Sequence, residues 1–274
     1  MKSDKKFVFF DIDGTLLNAN KEVAASTLTA LHELKCAGHQ IFVCTGRTKC
    51  MLPKVITDID FDGYVYGGGT ALEYESQMLL LEELNYDQIV QVAELLKKYN
   101  CAYVFEGNEN VYMENRFFHD ERSYYRNFMR SLGEVCIGFD SYDEIKASKA
   151  TCIFPDDMPV EDKKLLVEKL MSEYQCILHE RVDNGIMTDG LVEVLPKDFT
   201  KGTGIERMSE KLGISISQTV GVGDSNNDLE MLKVVGTAIC MGNGTEQAKN
   251  LADFITKGVN ENGILYAMTT LGYI

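Results

Sequence analysis

Proline is scarce in this chain of 274 residues, and long apolar runs are missing from it. The sequence has only four prolines and no stretch rich in proline, glycine and serine, so no flexible linker between domains can be identified. It contains no run of about 18 apolar residues, and its N-terminus does not join a charged start to an apolar segment. We therefore expect neither a membrane span nor a secretory signal.

Basic residues are few relative to acidic ones. Lys and Arg together number 27 against 42 Asp and Glu, which gives a net charge of −15 at pH 7. A surface this acidic repels nucleic acid and anionic membranes, and we expect neither as a partner. A phosphate-bearing substrate would need a bound cation or local basic residues to reverse the field at its site.

Paired cysteines of the kind that bind metals are also absent. The eight cysteines are scattered without a Cys-x-x-Cys pair, and several lie in apolar runs: Cys44, Cys152, Cys176 and Cys240. This pattern favours the reduced core thiols of a cytosolic protein over a disulfide framework. No spacing supports metal binding by thiolates.

The most informative motif present is Asp11-Ile12-Asp13-Gly14-Thr15, which directly follows the apolar run Phe7-Val8-Phe9-Phe10. Such a run is typical of a buried strand, and ligands bind at the C-terminal ends of the strands in an open parallel sheet. Two carboxylates two residues apart repel each other, and a divalent cation is the usual means of offsetting that repulsion. The alternative is an Asp-rich turn, because Asp and Gly are common turn residues.

Three distant segments also place polar residues after a buried strand or at a helix start. They supply a hydroxyl, a lysine and a cluster of acids, in that order: Thr45-Gly46-Arg47 after Ile41–Cys44, Lys201-Gly202 after Phe199-Thr200, and Gly223-Asp224-Ser225-Asn226-Asn227-Asp228 after Thr219–Val222. Each could be an ordinary loop between a strand and a helix. Together with the first motif they indicate phosphoryl chemistry.

The periodicity of apolar residues predicts two kinds of region, which differ in how strands and helices follow one another along the chain. Strands and helices alternate up to about residue 81 and again from about residue 191, which predicts a mainly parallel sheet. The predicted elements of these regions are a helix at 23–37, a strand at 64–66, a hairpin at 72–81, a strand at 192–195 and a last helix after Gly263. The middle region mixes predicted helices at 86–99, 119–132 and 160–174 with short strands at 101–105, 111–113, 151–154 and 176–179. The apolar content of 45% and charged content of 25% suit two modest domains or one large one.

With these four motifs the chain resembles the haloacid dehalogenase-like hydrolases. A cap domain in that superfamily lies between the first and second motifs or between the second and third, and here more than half of the chain separates Thr45 from Lys201. This placement resembles the Cof-type sugar-phosphatase group. The resemblance implies an α/β fold, with a Rossmann-like core at 1–83 and 190–274 and an inserted α+β cap at 84–189 that selects the substrate. One departure is Gly67-Gly68-Gly69-Thr70, where the group commonly carries Asn-Gly-Ala.

The resemblance also implies the roles of the motif residues. Asp11 would be the nucleophile that forms an aspartyl-phosphate, and Asp13 would protonate the leaving oxygen and then activate water. The implied cofactor is Mg²⁺, bound by Asp11, the backbone carbonyl of Asp13, and Asp224, with Asp228 orienting a water on the metal. The phosphate would be held by four further residues: Thr45, Gly46, Lys201 and Asn227.

Several of these residues also have simpler interpretations. Thr45 could merely cap the following helix, Lys201 alone could be a solvated lysine, and Arg47 could form a salt bridge or lie along the surface. We interpret the isolated His119 and His179 as structural or surface groups, and the tyrosines of the middle region as core.

The function predicted from the sequence is Mg²⁺-dependent hydrolysis of small phosphorylated metabolites, sugar phosphates above all, by a cytoplasmic enzyme. The alternatives are a phosphomutase, which would return the phosphoryl group from the enzyme to the substrate, and a non-catalytic sensor of phosphate ligands. The acid pair disfavours the sensor, because binding alone needs no nucleophile. Haloalkanoic acid dehalogenation uses no metal, so Asp13 and Asp224 argue against it.

Overall fold

The structure is a computed structural model that describes residues 5–118, 133–183 and 186–274. The chain divides into two compact units. The first consists of Met1–Arg47, Leu52–Leu80 and Thr200–Ile274, and the second of Thr48–Met51 and Leu81–Phe199. Each unit is built on a β-sheet of its own.

The described residues form fourteen strands and nine α-helices. The strands are β1 (Phe7–Phe10), β2 (Gln40–Cys44), β3 (Gly63–Tyr66), β4 (Ala71–Tyr74), β5 (Gln77–Leu81), β6 (Ala102–Glu106), β7 (Val111–Glu114), β8 (Cys136–Phe139), β9 (Lys149–Ile153), β10 (Gln175–Asp183), β11 (Ile186–Leu195), β12 (Thr219–Gly223), β13 (Thr237–Cys240) and β14 (Phe254–Ile255). The helices are α1 (Ala25–Cys36), α2 (Lys54–Thr57), α3 (Tyr86–Lys98), α4 (Asn115–Phe118), α5 (Val160–Glu173), α6 (Lys201–Leu212), α7 (Leu229–Val234), α8 (Glu246–Leu251) and α9 (Gly263–Thr270).

The sheet of the first unit has eight strands in the order β14-β13-β12-β1-β2-β3-β4-β5. The six strands from β14 to β3 are parallel, and β4 runs antiparallel to β3. This confirms the predicted α/β class with a mainly parallel sheet. In such a sheet the C-terminal ends of neighbouring strands meet at one edge.

Both faces of the first sheet are covered, which explains why β1 is apolar throughout. Val8 and Phe10 pack in a cluster with residues of α1 and α9, including Leu31. Phe9 packs in the opposite cluster with Met208 of α6. With helices on both faces, polar side chains are left to the ends of the strands.

The sheet of the second unit has six strands in the order β10-β11-β9-β6-β7-β8. Its pairs are antiparallel except for β7 and β8. Tyr103 and Phe105 of β6 pack against Val92 of α3 and Leu166 of α5 in one apolar cluster. Asn85 begins α3 with a capping box, in which its side chain and that of Gln88 each accept a backbone N–H.

Most predicted elements are confirmed to within a few residues, but one strand was placed in the wrong sheet. The sequence assigned 192–195 to the resumed core, whereas these residues end β11, which pairs with β9 and β10 of the second sheet. Four apolar-rich residues could not reveal a ten-residue strand that begins at Ile186. The helix predicted at 119–132, with His119, lies outside the described residues. The insertion at 84–189 and its role as a cap stay predictions.

The eight cysteines all lie among the described residues and are free thiols. Six of them are buried, including the four that the sequence placed in apolar runs, while Cys50 is half-buried and Cys36 exposed. Among the described residues we find no helix that combines the length and the apolar character needed to cross a membrane.

Candidate active site

Three neighbouring strands of the first sheet end in predicted site residues. Asp11 follows β1, Thr45 follows β2, and Asp224 follows β12, and these strands lie in the order β12-β1-β2. The backbone N–H of Asp11 donates to the carbonyl of Val222 at 2.9 Å, so Asp11 still follows the register of the sheet. Parallel pairing therefore brings these residues to one edge.

Lys201 connects the acids of this edge. It is the first residue of α6, after Thr200, whose side chain accepts the backbone N–H of Thr203 at the helix start. The Lys201 Nζ lies 2.5 Å from Asp11 Oδ1 and 2.6 Å from Asp228 Oδ1, and it donates to Asn227 Oδ1 at 3.2 Å. The side chain of Lys201 is only 1% exposed. It is thus a buried ion-paired group, and the solvated-lysine interpretation is wrong.

Three carboxylates beside this lysine form a possible metal site. Asp11, Asp224 and Asp228 each offer one oxygen, and these oxygens lie within 4.8 Å of one another. Thr15 Oγ1 donates to Asp224 Oδ1 at 3.1 Å, and Asp228 Oδ2 accepts the backbone N–H of Asp224 at 2.9 Å. Carboxylate oxygens are the donors that Mg²⁺ prefers. The described residues of this site therefore fit a divalent cation.

The electrostatics of the cluster also fit a cation. Burial, followed by the charge of Asp228, raises the pKa of Asp11 to about 8, against the opposing charge of Lys201. Burial and the charge of Asp228 likewise raise the pKa of Asp224 to about 7. Burial would lower the pKa of Lys201, but the charges of Asp11 and Asp228 raise it well above its ordinary value. Two carboxylates are therefore partly protonated near neutral pH unless positive charge is added.

The side chain of Asp13 contacts two cations. Its Oδ2 is 2.8 Å from Arg47 Nε, its Oδ1 is 2.6 Å from Lys21 Nζ, and Arg47 Nη2 donates to the same Oδ1 at 3.1 Å. Partial burial would raise the pKa of Asp13, but the hydrogen bonds and charges of Arg47 and then Lys21 hold it below its usual value. The salt-bridge interpretation of Arg47 is confirmed. Lys21 was missed, because a single lysine in a polar loop carries no sequence signal.

A glycine run supports Thr45 and its loop. Thr45 Oγ1 accepts the backbone N–H of Arg47 at 3.1 Å, and Gly46 lies between them in the chain. Gly68 N–H donates to the Thr45 carbonyl at 2.9 Å and Gly67 N–H to the Arg47 carbonyl at 2.8 Å. These backbone bonds fix the loop against the turn that follows β3.

The same glycine run contacts the start of α6. Gly67, Gly68 and Gly69 have φ of 55°, 65° and 100°, a region that favours glycine. A Cβ on Gly69 would lie 2.3 Å from the carbonyl oxygen of Thr200. The glycine run thus contacts both the Thr45 loop and the start of the helix that carries Lys201, and it supports both. Three consecutive glycines after a strand were the signal for this role.

Two further residues shape the loop after β1. Gly14 has φ 91°, and a Cβ on it would lie 2.2 Å from Asp224 Oδ2, so only glycine allows this approach. Asn243 Nδ2 donates to the Gly14 carbonyl at 2.9 Å, while Asn243 Oδ1 accepts the backbone N–H of Val259 at 2.8 Å. Asn243 thereby connects the loop after β13 to the acid motif, a contact that the sequence did not reveal.

The second unit contains a buried charged cluster of its own. Lys149 Nζ lies 2.8 Å from Glu193 Oε2 and 3.4 Å from Glu106 Oε2, with the Lys149 side chain 2% exposed. His179 Nε2 lies 3.1 Å from Glu193 Oε1. Burial would raise the pKa of Glu193, but the charge of Lys149 and then the contact with His179 lower it to about 2. His179 therefore has a structural partner within its unit.

Comparison with known proteins gives consistent results over nearly the whole chain. A family model described as haloacid dehalogenase-like hydrolase matches residues 8–268. The protein named "Putative phosphatase YkrA" of Bacillus subtilis (strain 168) is 28% identical over 273 residues, which cover 99% of each chain. A crystal structure of a hypothetical protein from Geobacillus kaustophilus HTA426 is 31% identical, with a TM-score of 0.81 and coverage of 99% of this chain and 100% of the other.

A further similar structure is described as the subclass IIB sugar phosphatase BT4131. It is 23% identical, covers 98% of this chain and 100% of its own, and has a TM-score of 0.81. At that identity the likeness concerns the fold.

Proposed function

Because the chain belongs to the haloacid dehalogenase-like hydrolases, we propose that it is a Mg²⁺-dependent phosphatase of small phosphorylated metabolites, and of sugar phosphates in particular. The observation that carries this proposal is the cluster at the strand ends. Asp11, Asp224 and Asp228 lie within 4.8 Å of one another around the buried Lys201. The proposed nucleophile, cation site and phosphate-binding ammonium group would thereby be close together.

In the proposed reaction Asp11 attacks the phosphorus atom in line with the leaving oxygen. A bond from Asp11 to phosphorus forms as the bond to the leaving oxygen breaks, and Asp13 gives that oxygen a proton. Asp13 then takes a proton from water, whose oxygen attacks phosphorus and releases Asp11 and inorganic phosphate. Lys201 and the Thr45 loop stabilise the negative charge of the transferring group, with help from Asn227.

The cation would be held by Asp11, the backbone carbonyl of Asp13, and Asp224, with Asp228 orienting a water. When bound, Mg²⁺ neutralises charge on the phosphate and the carboxylates. The raised pKa values of Asp11 and Asp224 support this assignment, because burial and then the charge of Asp228 disfavour the ionised carboxylates, which a bound cation would compensate.

We also propose that residues 84–189 act as a cap that selects the substrate and closes for transfer. The support is that the second unit has a sheet and an apolar core of its own, inserted in the chain between the Thr45 loop and Lys201. Replacing the whole segment Leu81–Phe199 of the second unit by a short loop, so that β11 is removed complete, should retain hydrolysis of small aryl phosphates and abolish discrimination among sugar phosphates. Circular dichroism would verify that the shortened chain folds, and unchanged discrimination by a folded variant would reject the cap assignment.

The main test is phosphate release from a panel of phosphorylated metabolites and aryl phosphates, with Mg²⁺ and with chelator. Activity should require Mg²⁺ and should vanish in Asp11→Asn, and rapid quenching should trap phosphate bound to the wild-type chain. Binding of substrates without any turnover would instead indicate a sensor. Isomerised sugar phosphates without phosphate release would indicate a phosphomutase. The eight free thiols support a cytoplasmic location for the enzyme.

A further inference from the structure

The loop after β13 contacts both segments that carry the proposed cation ligands. Asn243 Nδ2 donates to the carbonyl of Gly14 at 2.9 Å, and Gly14 directly follows Asp13 in the chain. The backbone N–H of Thr245 donates to the carbonyl of Asp224 at 2.8 Å. One short loop therefore holds the acid motif on one side and the segment after β12 on the other.

Gly14 is the point at which the acid motif needs this support, because glycine restricts the backbone less than any other residue. The peptide before Gly14 is held at its N–H, which donates to the carbonyl of Leu17 at 2.9 Å. The peptide after Gly14 is held at its N–H by a longer bond, from Thr15 to the carbonyl of Ile12 at 3.3 Å. The carbonyl of that second peptide is the group to which Asn243 donates.

The two peptides that meet at Gly14 lead to two groups of the proposed cation site. The carbonyl of Asp13 shares a planar trans peptide with the Gly14 N–H, so fixing the N–H also fixes the direction of the carbonyl. On the other side, Thr15 Oγ1 donates to Asp224 Oδ1 at 3.1 Å. A rotation at Gly14 would therefore turn the Asp13 carbonyl or displace the hydroxyl that holds Asp224.

The side chain of Asn243 is itself held in place at its other end. Its Oδ1 accepts the backbone N–H of Val259, in the segment after β14, at 2.8 Å. An amide supplies an acceptor and a donor at one position, and these two partners require Oδ1 toward Val259 and Nδ2 toward Gly14. The donor is thus presented to the Gly14 carbonyl in a fixed direction.

We propose that Asn243 is a positioning residue for the cation site: it fixes the peptide after Gly14 and thereby preserves the direction of the Asp13 carbonyl. This inference rests on the proposed function. A residue that orients the ligands without binding the cation should affect the affinity for the cation and leave the reaction of the loaded enzyme unchanged. Its loss should also leave the stability of the metal-free chain unchanged.

The test measures Mg²⁺ binding directly, by isothermal titration calorimetry of the protein without substrate. Asn243→Ala should raise the Kd for Mg²⁺ by about tenfold or more, as expected when a contact that orients metal ligands is lost. The kcat for 4-nitrophenyl phosphate should return to the wild-type value when the Mg²⁺ concentration is raised to saturation. The Tm of the variant in chelator, followed by circular dichroism, should match that of the wild type.

Asn260→Ala is the matched control. Asn260 Oδ1 accepts a hydrogen bond from Asn18 Nδ2 at 3.1 Å, so this variant loses another exposed amide contact with the loop after β1 without touching Gly14. It should keep the wild-type Kd for Mg²⁺.

Three results would overturn the positioning role of Asn243. They are a Kd for Mg²⁺ that is unchanged or raised equally in both variants, a kcat that stays low at saturating Mg²⁺, and a Tm in chelator that falls further than in Asn260→Ala. A wild-type protein that binds no Mg²⁺ or releases no phosphate would instead refute the proposed function. The two failures are therefore distinguishable.

Discussion

Magnesium should stabilise this protein far more at about pH 8 than at about pH 5.5, because protons and the cation compete for the same carboxylates. The nearest oxygens of Asp11, Asp224 and Asp228 lie within 4.8 Å of one another. Each like-charged pair therefore costs at least about 3 kcal/mol at an effective dielectric constant of about 20. Burial, and then the repulsion from Asp228, raises the pKa of Asp11 to about 8 and that of Asp224 to about 7 in the metal-free protein, although the charge of Lys201 opposes both rises.

The direction of the pH dependence follows from these raised pKa values. Both groups bind protons more tightly in the folded chain than in the unfolded one. Their contribution to stability is therefore complete below about pH 4 and is lost as the pH rises through about 7 and 8. Mg²⁺ displaces the protons, so its apparent affinity should rise about tenfold per pH unit for each proton released. At a concentration 100 times the dissociation constant, the cation would add about 2.7 kcal/mol of stability.

Thermal unfolding followed by circular dichroism measures this effect, with Mg²⁺ or chelator at matched ionic strength. The gain in Tm on adding Mg²⁺ should be small at about pH 5.5 and large at about pH 8. Asp224→Asn should lose most of the gain, whereas Glu230→Gln, which alters an exposed acid of the same unit, should keep it. An equal gain at both pH values would refute the reasoning, as would a full gain in the Asp224 variant.

Three other substitutions test the site and the packing around it. Asp11→Asn should reduce phosphate release by several orders of magnitude while substrate binding and the unfolding midpoint stay near wild type, because the two side chains have the same shape; near-normal turnover would reject Asp11 as nucleophile. Gly69→Ala should lower the free energy of unfolding in urea by more than about 1 kcal/mol, because its Cβ would lie 2.3 Å from the Thr200 carbonyl oxygen. Gly213→Ala, at φ 65° with open space around it, should lower it by only about 1 kcal/mol. Equal losses in the two variants would refute the supporting role of the glycine run. Lys149→Met should lower the free energy of unfolding by about 3 to 5 kcal/mol, because it leaves the buried carboxylates of Glu106 and Glu193 without the Lys149 ammonium group. A loss below about 1 kcal/mol would count against a structural role for this ion cluster.

Those parts of the fold and site that depend on local pattern could be predicted from the sequence. Apolar runs followed by polar residues located β1, β2 and β12, and parallel pairing then brought Asp11, Thr45 and Asp224 to one edge. The start of α6 at Lys201 was equally visible, because Thr200 is a good N-cap residue and apolar residues recur at helical spacing after it.

What could not be predicted depends on contacts between distant segments or on backbone conformation. Lys21 reaches Asp13 only because Asn18 shapes the turn between them, and no periodicity encodes that. Asn243 meets Gly14 across more than 200 residues of chain. The strand at 192–195 was misplaced because its partners, β9 and β10, are chosen by sheet register, which four residues do not specify.

The uniform burial of β1 has a consequence for how the chain folds. All four residues from Phe7 to Phe10 are buried, so β1 lacks the alternation of apolar and polar residues that usually fixes the register of a strand. A slip by one residue would keep apolar side chains on both faces, but it would pull Asp11 into the sheet beside Val222. We expect this slip to be unfavourable, because it would move the buried Asp11 carboxylate away from Lys201 Nζ, which lies 2.5 Å from it in the observed register. The proposed nucleophile would thus also help to set the register of β1, because an incorrectly paired strand would separate the Asp11 carboxylate from its buried cation.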